Sequence, residues 1–381
     1  MAFADLKLDK RLLRNIHDRG YVQTTPIQSA TFPLVFGGAD LIACAETGTG
    51  KTGAFLLPIM ERLLASDASG RPHGHVPSTR VLVLTPTREL CSQIDAEFDG
   101  FAYGLPLSSI AVYGGVGATP QEYGLRAPAD VVVATPGRLL DHIRAGAPRF
   151  SGLEVLVLDE ADRMLDMGFW PDVHRIVSGF PAIRQTLFFS ATMSEDVFRS
   201  AEQTMRNPRM VRIGRPGGLV GTITHRVQEV TASGKTDWLA RFLRRTSGSA
   251  IVFTRTKRGA DRLTSRLAAA GVRCVTVHGD RTQGQRTAAI EGFRAGRYTT
   301  LVATDLAARG LDISGVGYVI NYDLPDSADS YLHRVGRTGR ADAEGTALTL
   351  ITADEVAALR SIEQSLNIKV SQCQTDHVRP N

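Results

Sequence analysis

The sequence predicts an α/β protein of two tandem domains, each a parallel β-sheet flanked by helices, joined by a short flexible linker. Three observations lead there. Short apolar runs rich in β-branched residues recur along the chain, most of them followed by a helix-like segment. These runs are near-continuous rather than alternating, as in strands buried on both faces of a helix-covered parallel sheet. The pattern then occurs twice, on either side of Gly214-Arg215-Pro216-Gly217-Gly218-Leu219-Val220-Gly221, whose paired glycines and proline suit a linker.

In the first half the expected strands are Leu41-Ile42-Ala43-Cys44-Ala45, Val81-Leu82-Val83-Leu84, Val131-Val132-Val133-Ala134, Val155-Leu156-Val157-Leu158 and Leu187-Phe188-Phe189. In the second half they are Ala250-Ile251-Val252-Phe253, Cys274-Val275-Thr276-Val277, Leu301-Val302-Ala303, Tyr318-Val319-Ile320 and Ala347-Leu348-Thr349-Leu350-Ile351. The expected divisions are a first domain over 1–212, a linker over 213–222, a second domain over 223–368 and a tail over 369–381 without clear periodicity. A length of 381 residues suits two domains. Ser66 to Ser78, rich in Gly, Pro and Ser, reads as a surface loop.

Composition narrows the function classes. No apolar stretch reaches the roughly 18–20 residues that span a bilayer. The N-terminus shows no basic-then-apolar signal pattern, so a cytoplasmic protein is expected. Cys44, Cys91, Cys274 and Cys373 are scattered, with no CxxC pair, which argues against a zinc site or a disulfide framework. Charge is uneven. Residues 1–212 hold 21 Lys/Arg against 23 Asp/Glu, and residues 213–381 hold 23 against 16. A basic second half suits a polyanionic partner, although a solvated arginine-rich surface gives the same count.

Ala45-Glu46-Thr47-Gly48-Thr49-Gly50-Lys51-Thr52 follows a strand and opens a helix, the context of a phosphate-binding P-loop. Glycines let backbone N–H groups turn toward phosphate oxygens, and the helix N-terminus adds its positive dipole end. Lys51 is expected to reach the β/γ phosphates of ATP, and Thr52 to ligate Mg²⁺. Alanine replaces the usual first glycine. A second Gly-Lys-Thr, at 234–236, lacks the glycine-rich loop before it and is set aside. Val155 to Leu158 ends in Asp159-Glu160, two carboxylates at the carboxyl end of a parallel strand. Asp159 is expected in the Mg²⁺ shell, with Glu160 orienting the attacking water.

At these residues a resemblance becomes specific. Asp159-Glu160-Ala161-Asp162 spells the tetrad that names the DEAD-box family of ATP-dependent RNA helicases, which are built of two RecA-like domains. Ser190-Ala191-Thr192 resembles that family's coupling motif. Gly20-Tyr21 to Pro26-Ile27-Gln28, with Phe3 upstream, resembles its Q motif. The resemblance implies that Gln28 reads the adenine edge, as a Gln amide can, and that Tyr21 and Phe3 pack near the base. Thr24 stands where the family usually has proline, and Glu46 where it usually has glutamine.

Pro86-Thr87-Arg88, Gly114-Gly115 and Thr135-Pro136-Gly137-Arg138 resemble the RNA-contacting motifs of the family's first domain. In the second half the resemblance implies RNA contacts by Arg255, Gln283, Arg286 and Thr304. Tyr331-Leu332-His333-Arg334-Val335-Gly336-Arg337-Thr338-Gly339-Arg340 carries three arginines at spacing three, a poor core pattern that suits guanidinium groups presented to phosphate. By resemblance Arg337 and Arg340 are arginine fingers, and His333 bridges to the DEAD carboxylates. Asp162, Ser190, Thr192 and Arg309 couple the domains, and Asp312 takes the ATP ribose. No strip of aromatics suited to base stacking is visible, so RNA binding through the backbone with little sequence preference is expected. The same residues would serve an ATP-gated RNA clamp that does not unwind, and a DNA translocase is a more distant rival.

Overall fold

The structure is a computed structural model. It describes residues 1–45, 48–68, 78–127, 129–146, 150–181, 184–213, 223–308, 313, 315–339 and 345–373. The chain divides into two compact units, Met1–Gly214 and Arg215–Asn381.

Unit one holds strands β1 (Leu41–Cys44), β2 (Val81–Leu84), β3 (Ser109–Val112), β4 (Val131–Ala134), β5 (Val155–Leu158), β6 (Gln185–Ser190) and β7 (Arg209–Arg212). They form a wholly parallel sheet in the order β3-β4-β2-β5-β6-β1-β7. The five inner strands are buried along their whole length. Side chains alternate between two apolar layers. Val81, Val83, Val131, Val133, Val155 and Val157 pack toward one, Leu82, Leu84, Val132, Leu156 and Leu158 toward the other. The sequence reading missed β3 and β7, and their surroundings explain it. They are the sheet edges and only partly covered: β3 opens on Ser109, and β7 carries Arg209 and Arg212 at its two ends.

Unit two holds β8 (Ile223–Glu229), β9 (Ala250–Thr254), β10 (Cys274–Val277), β11 (Thr300–Thr304), β12 (Tyr318–Asn321), β13 (Gly345–Ile351) and β14 (Ser371–Gln372). Their order, β10-β11-β9-β12-β13-β8-β14, repeats that of unit one strand for strand, again all parallel. β8 escaped the sequence reading because its burial alternates. Ser371–Gln372, inside the segment read as a tail, adds an edge strand beside Arg226–Val227 of β8, so ordered structure runs past residue 368. The linker expected over 213–222 lies outside the described residues apart from Ile213.

In a parallel sheet every carboxyl end lies along one edge, where ligands of open α/β sheets gather. The strand order therefore sorts the motifs. In unit one, β5, β6 and β1 are neighbours and carry the tetrad, Ser190-Ala191-Thr192 and the P-loop. β3, β4 and β2 are neighbours too, and carry Gly114-Gly115, Thr135-Pro136-Gly137-Arg138 and Pro86-Thr87-Arg88.

Candidate nucleotide and RNA sites

The P-loop leaves β1 and enters the helix Lys51–Ala68. Gly48 and Gly50 have φ of 84° and 90°, the left-handed region open to glycine. A Cβ at Gly50 would lie 2.8 Å from Nε2 of Gln28, and one at Gly53 would lie 2.9 Å from the same atom, so both glycines also admit the Gln28 amide. Lys51 is buried, and its Nζ donates to the Ala45 carbonyl at 2.9 Å across the loop. Thr49 and Thr52 complete the described loop, while Glu46 and Thr47 lie outside the described residues.

Gln28 is fully buried. Its Nε2 donates to the Gly50 carbonyl at 3.1 Å, and its Oε1 accepts from the Thr25 backbone N–H at 2.9 Å. Both ends of the amide that the resemblance gave to adenine are thus engaged within the protein, tying the helix Pro26–Phe36 to the P-loop. Phe3 is 3% exposed, with its ring edge-on to Tyr21 and packed against Phe32. Tyr21 is half-buried. Burial, with Glu97 accepting from its hydroxyl at 2.9 Å, pushes the phenol up to about 12. Thr24 has a local reason to depart from proline. Its N–H and its hydroxyl both donate to the Met1 carbonyl at 2.9 Å, and proline has no N–H to give.

The three carboxylates after β5 fall into three environments. Asp159 is buried, and burial pushes its carboxyl up to about 7. Lys51 opposes the shift, while the Glu160 and Asp162 carboxylates add to it. Glu160 has a left-handed backbone, φ 51°, and its Oε2 accepts from Nη1 of Arg163 at 2.5 Å. Asp162 is a latch. Its Oδ2 accepts from the N–H groups of Ala191 and Thr192 at 3.1 and 2.8 Å and from Oγ1 of Thr192 at 3.0 Å. Ser190 Oγ donates to the Thr192 carbonyl at 2.6 Å, which completes the turn after β6.

On the β2-β4-β3 side, Thr87 caps the helix Arg88–Phe101 by accepting from the Leu90 N–H. Arg88 lies on the glycine pair. A Cβ at Gly115, whose φ is 82°, would come within 1.9 Å of Nη1 of Arg88. Arg138 holds the same loop from the other side, with Nη1 and Nη2 each 3.2 Å from the Val116 carbonyl. Gln121, which the sequence reading missed, donates to the Tyr113 carbonyl at 3.0 Å. Pro86 is buried, and Thr135 and Pro136 open the helix Pro136–Arg144, with Gly137 in its first turn.

In unit two, Arg255 follows β9 and Thr304 ends β11. Gln283 and Arg286 lie in the first turn of the helix Gln283–Arg294, which Thr282 caps, and Nη2 of Arg286 donates to the Ala307 carbonyl at 3.4 Å. His333, Arg334 and Arg337 share one small pocket with Phe253, Asp305 and Ala308. Arg334, between two residues singled out from the sequence, is the structural member of this set. It clamps Asp305 through both carboxylate oxygens at 2.6 and 2.7 Å and also donates to Asn321 and to the Asp323 carbonyl. Arg309, Asp312 and Arg340 lie outside the described residues. Arg163 was legible in principle, because on a helix it stands three residues from Glu160. Gln121 gave no such signal.

A family model described as DEAD/DEAH box helicase matches residues 25–200, and one described as helicase conserved C-terminal domain matches residues 234–342. The chain is 40% identical over 373 residues to the ATP-dependent RNA helicase CshA of Listeria monocytogenes, covering 98% of this chain and 70% of that protein. It is also 40% identical over 373 residues to the DEAD-box ATP-dependent RNA helicase CshA of Bacillus subtilis, covering 98% and 74%. Among solved structures, S. cerevisiae Dbp5 bound to RNA and ADP BeF3 matches with a TM-score of 0.87 at 29% identity, over 98% of this chain and 96% of that one. A DEAD box protein from the hyperthermophile Methanococcus jannaschii matches at 34% identity with a TM-score of 0.55, over 98% and 99%. The chain belongs to the DEAD-box helicase family.

Proposed function

We propose that this chain is an ATP-dependent RNA helicase, an ATPase stimulated by RNA that locally separates duplexes or remodels RNA–protein complexes. The observation that carries the reading is the grouping at one sheet edge of Lys51, the Asp159-Glu160 pair and the latch from Asp162 to Thr192. In our assignment Lys51 and the backbone N–H groups from Thr47 to Thr52 hold phosphate oxygens. Glu160 orients the water that attacks the γ-phosphoryl group. Arg337 and Arg340 stabilise the charge that develops on it, and Asp312 holds the ribose. Tyr21 supports the base, with Gln28 linking the adenine side to the P-loop. Asp162, Ser190, Thr192, Arg309 and His333 relay the state of the nucleotide.

Mg²⁺ belongs to the proposal. Among the described residues there is no group of three or more His, Cys, Asp or Glu side chains that could hold a metal. Mg²⁺ needs none here, because such sites use one or two protein oxygens together with substrate phosphates and water. Asp159 and Thr52 fit as those ligands. Asp159 is buried with its carboxyl pushed up, a state that a divalent cation would relieve. When bound, Mg²⁺ would neutralise phosphate charge. RNA is held through its backbone by Pro86, Thr87, Arg88, Gly114, Gly115, Thr135, Pro136, Gly137, Arg138, Arg255, Gln283, Arg286 and Thr304, with 2′-hydroxyls separating RNA from DNA. We place this work in the cytoplasm, where ATP and RNA meet. No helix among the described residues is long and apolar enough to cross a membrane.

The test is the ATPase rate with and without single-stranded RNA, against a matched DNA strand. Stimulation by RNA alone supports the reading. Equal stimulation by DNA would favour a DNA translocase, and none by either would overturn it.

A further inference from the structure

Arg163 brings a permanent positive charge into the interior of unit one, and the assignment above gives it no task. Its side chain is 2% exposed and that of its partner Glu160 is 9% exposed. Burying such a pair is a poor way to gain stability, because desolvating both ions offsets their attraction, so its persistence asks for another reason. The backbone supplies one. Glu160 sits in the left-handed region at φ 51°, where a non-glycine residue is strained. Three contacts hold the turn in that state: the Glu160 N–H donates to Oδ1 of Asp159 at 3.0 Å, the Arg163 N–H donates to Oδ1 of Asp162 at 3.0 Å, and Arg163 grips the Glu160 carboxylate. That grip takes Oε2. Oε1 has no hydrogen-bond partner among the described residues.

We propose that Arg163 is a positioning residue for Glu160. It commits one carboxylate oxygen and so fixes the side chain, leaving Oε1 as the acceptor that aligns the attacking water. The planar guanidinium of Arg163, with Nη1 on Oε2, gives this grip a direction that a lysine ammonium lacks. The inference rests on the reading of Glu160 as the residue that orients water.

The experiment uses the full chain with saturating RNA, measuring kcat and KM for ATP and RNA affinity for R163Q, R163K, E160Q and the double variant. R163Q should lower kcat about 10–100-fold, the usual scale for losing an outer partner of a reacting group, with KM and RNA affinity within about twofold. R163K should recover part of the loss. E160Q should lower kcat about 10²–10⁴-fold, as loss of a proton-accepting group does. On that background R163Q should change the single-turnover rate less than about twofold, because residues acting as one unit are not additive. Full kcat in R163Q, an equal loss from R163Q on both backgrounds, or KM and RNA affinity shifting along with kcat would each overturn the proposal. Should R163Q fail to fold, R163K carries the test, since an unchanged kcat there means that the directed grip is not used. Normal hydrolysis by E160Q would instead remove the reading of Glu160 beneath it.

Discussion

The two units share one strand order yet load its carboxyl edge with opposite charge. After β5, unit one sets three carboxylates within four residues. In the helix Ala328–Val335 and the turn after it, unit two sets a histidine and two described arginines. In each, one member is taken up by architecture. Asp162 spends an oxygen on two backbone N–H groups and a hydroxyl, and Arg334 spends its fork on Asp305, Asn321 and Asp323. Around them, Arg337 and His333 line one small pocket together with Arg334, and Asp159 feels the charge of Lys51. In each motif one side chain holds its own turn, and we propose that Arg337 and Asp159 are the members that meet the nucleotide.

The sharpest way to break this comparison is to truncate the two arginines separately. R337A should lower the RNA-stimulated ATPase rate about 10³-fold or more, the scale of an arginine finger, with ATP affinity nearly unchanged. R334Q should act on stability. It leaves Asp305 without its cation in a site where the arginine side chain is 3% exposed and the aspartate 30%. Removing one partner of a fully buried pair costs about 3–5 kcal/mol, and the partial exposure of Asp305 brings the expectation to about 2–4 kcal/mol. Thermal denaturation should then shift down by about 5–15 °C. The reverse pattern, with R337A melting the chain and R334Q leaving it folded but inactive, would exchange the two roles.

How much of this was legible in the sequence follows from the same division. Inner strands such as Val155–Leu158 announce themselves because a strand buried on both faces has no polar positions. The edges β3, β7 and β14, and the alternating β8, lack that signature. The P-loop and the tetrad were readable because their chemistry fixes residue type and spacing. The grip of Arg163 on Glu160 was half-readable from helical spacing. The clamp of Arg334 on Asp305 joins residues 29 positions apart and appears only once β11 and β12 flank β9.

The proposed RNA side repeats the comparison at lower stakes. In unit one the arginines are shaped by a loop: Arg88 lies on Gly115, and Arg138 grips the Val116 carbonyl. In unit two, Gln283 and Arg286 ride on the first turn of a helix closed by the Thr282–Gln285 capping box. G115A meets a positive φ and would set its Cβ against the Arg88 guanidinium. It should weaken RNA binding about 5–10-fold, corresponding to roughly 1–1.4 kcal/mol, with ATP affinity unchanged. T282A removes one acceptor at a helix start and should cost about 1 kcal/mol of stability. Its effect on RNA affinity should stay below about threefold, because the first turn remains held by the rest of its helix. Filter binding of one RNA to both variants separates the cases. If T282A weakened RNA binding as much as G115A, the cap and not the glycine loop would be the more sensitive support, and the RNA side of unit two would be the more delicately built.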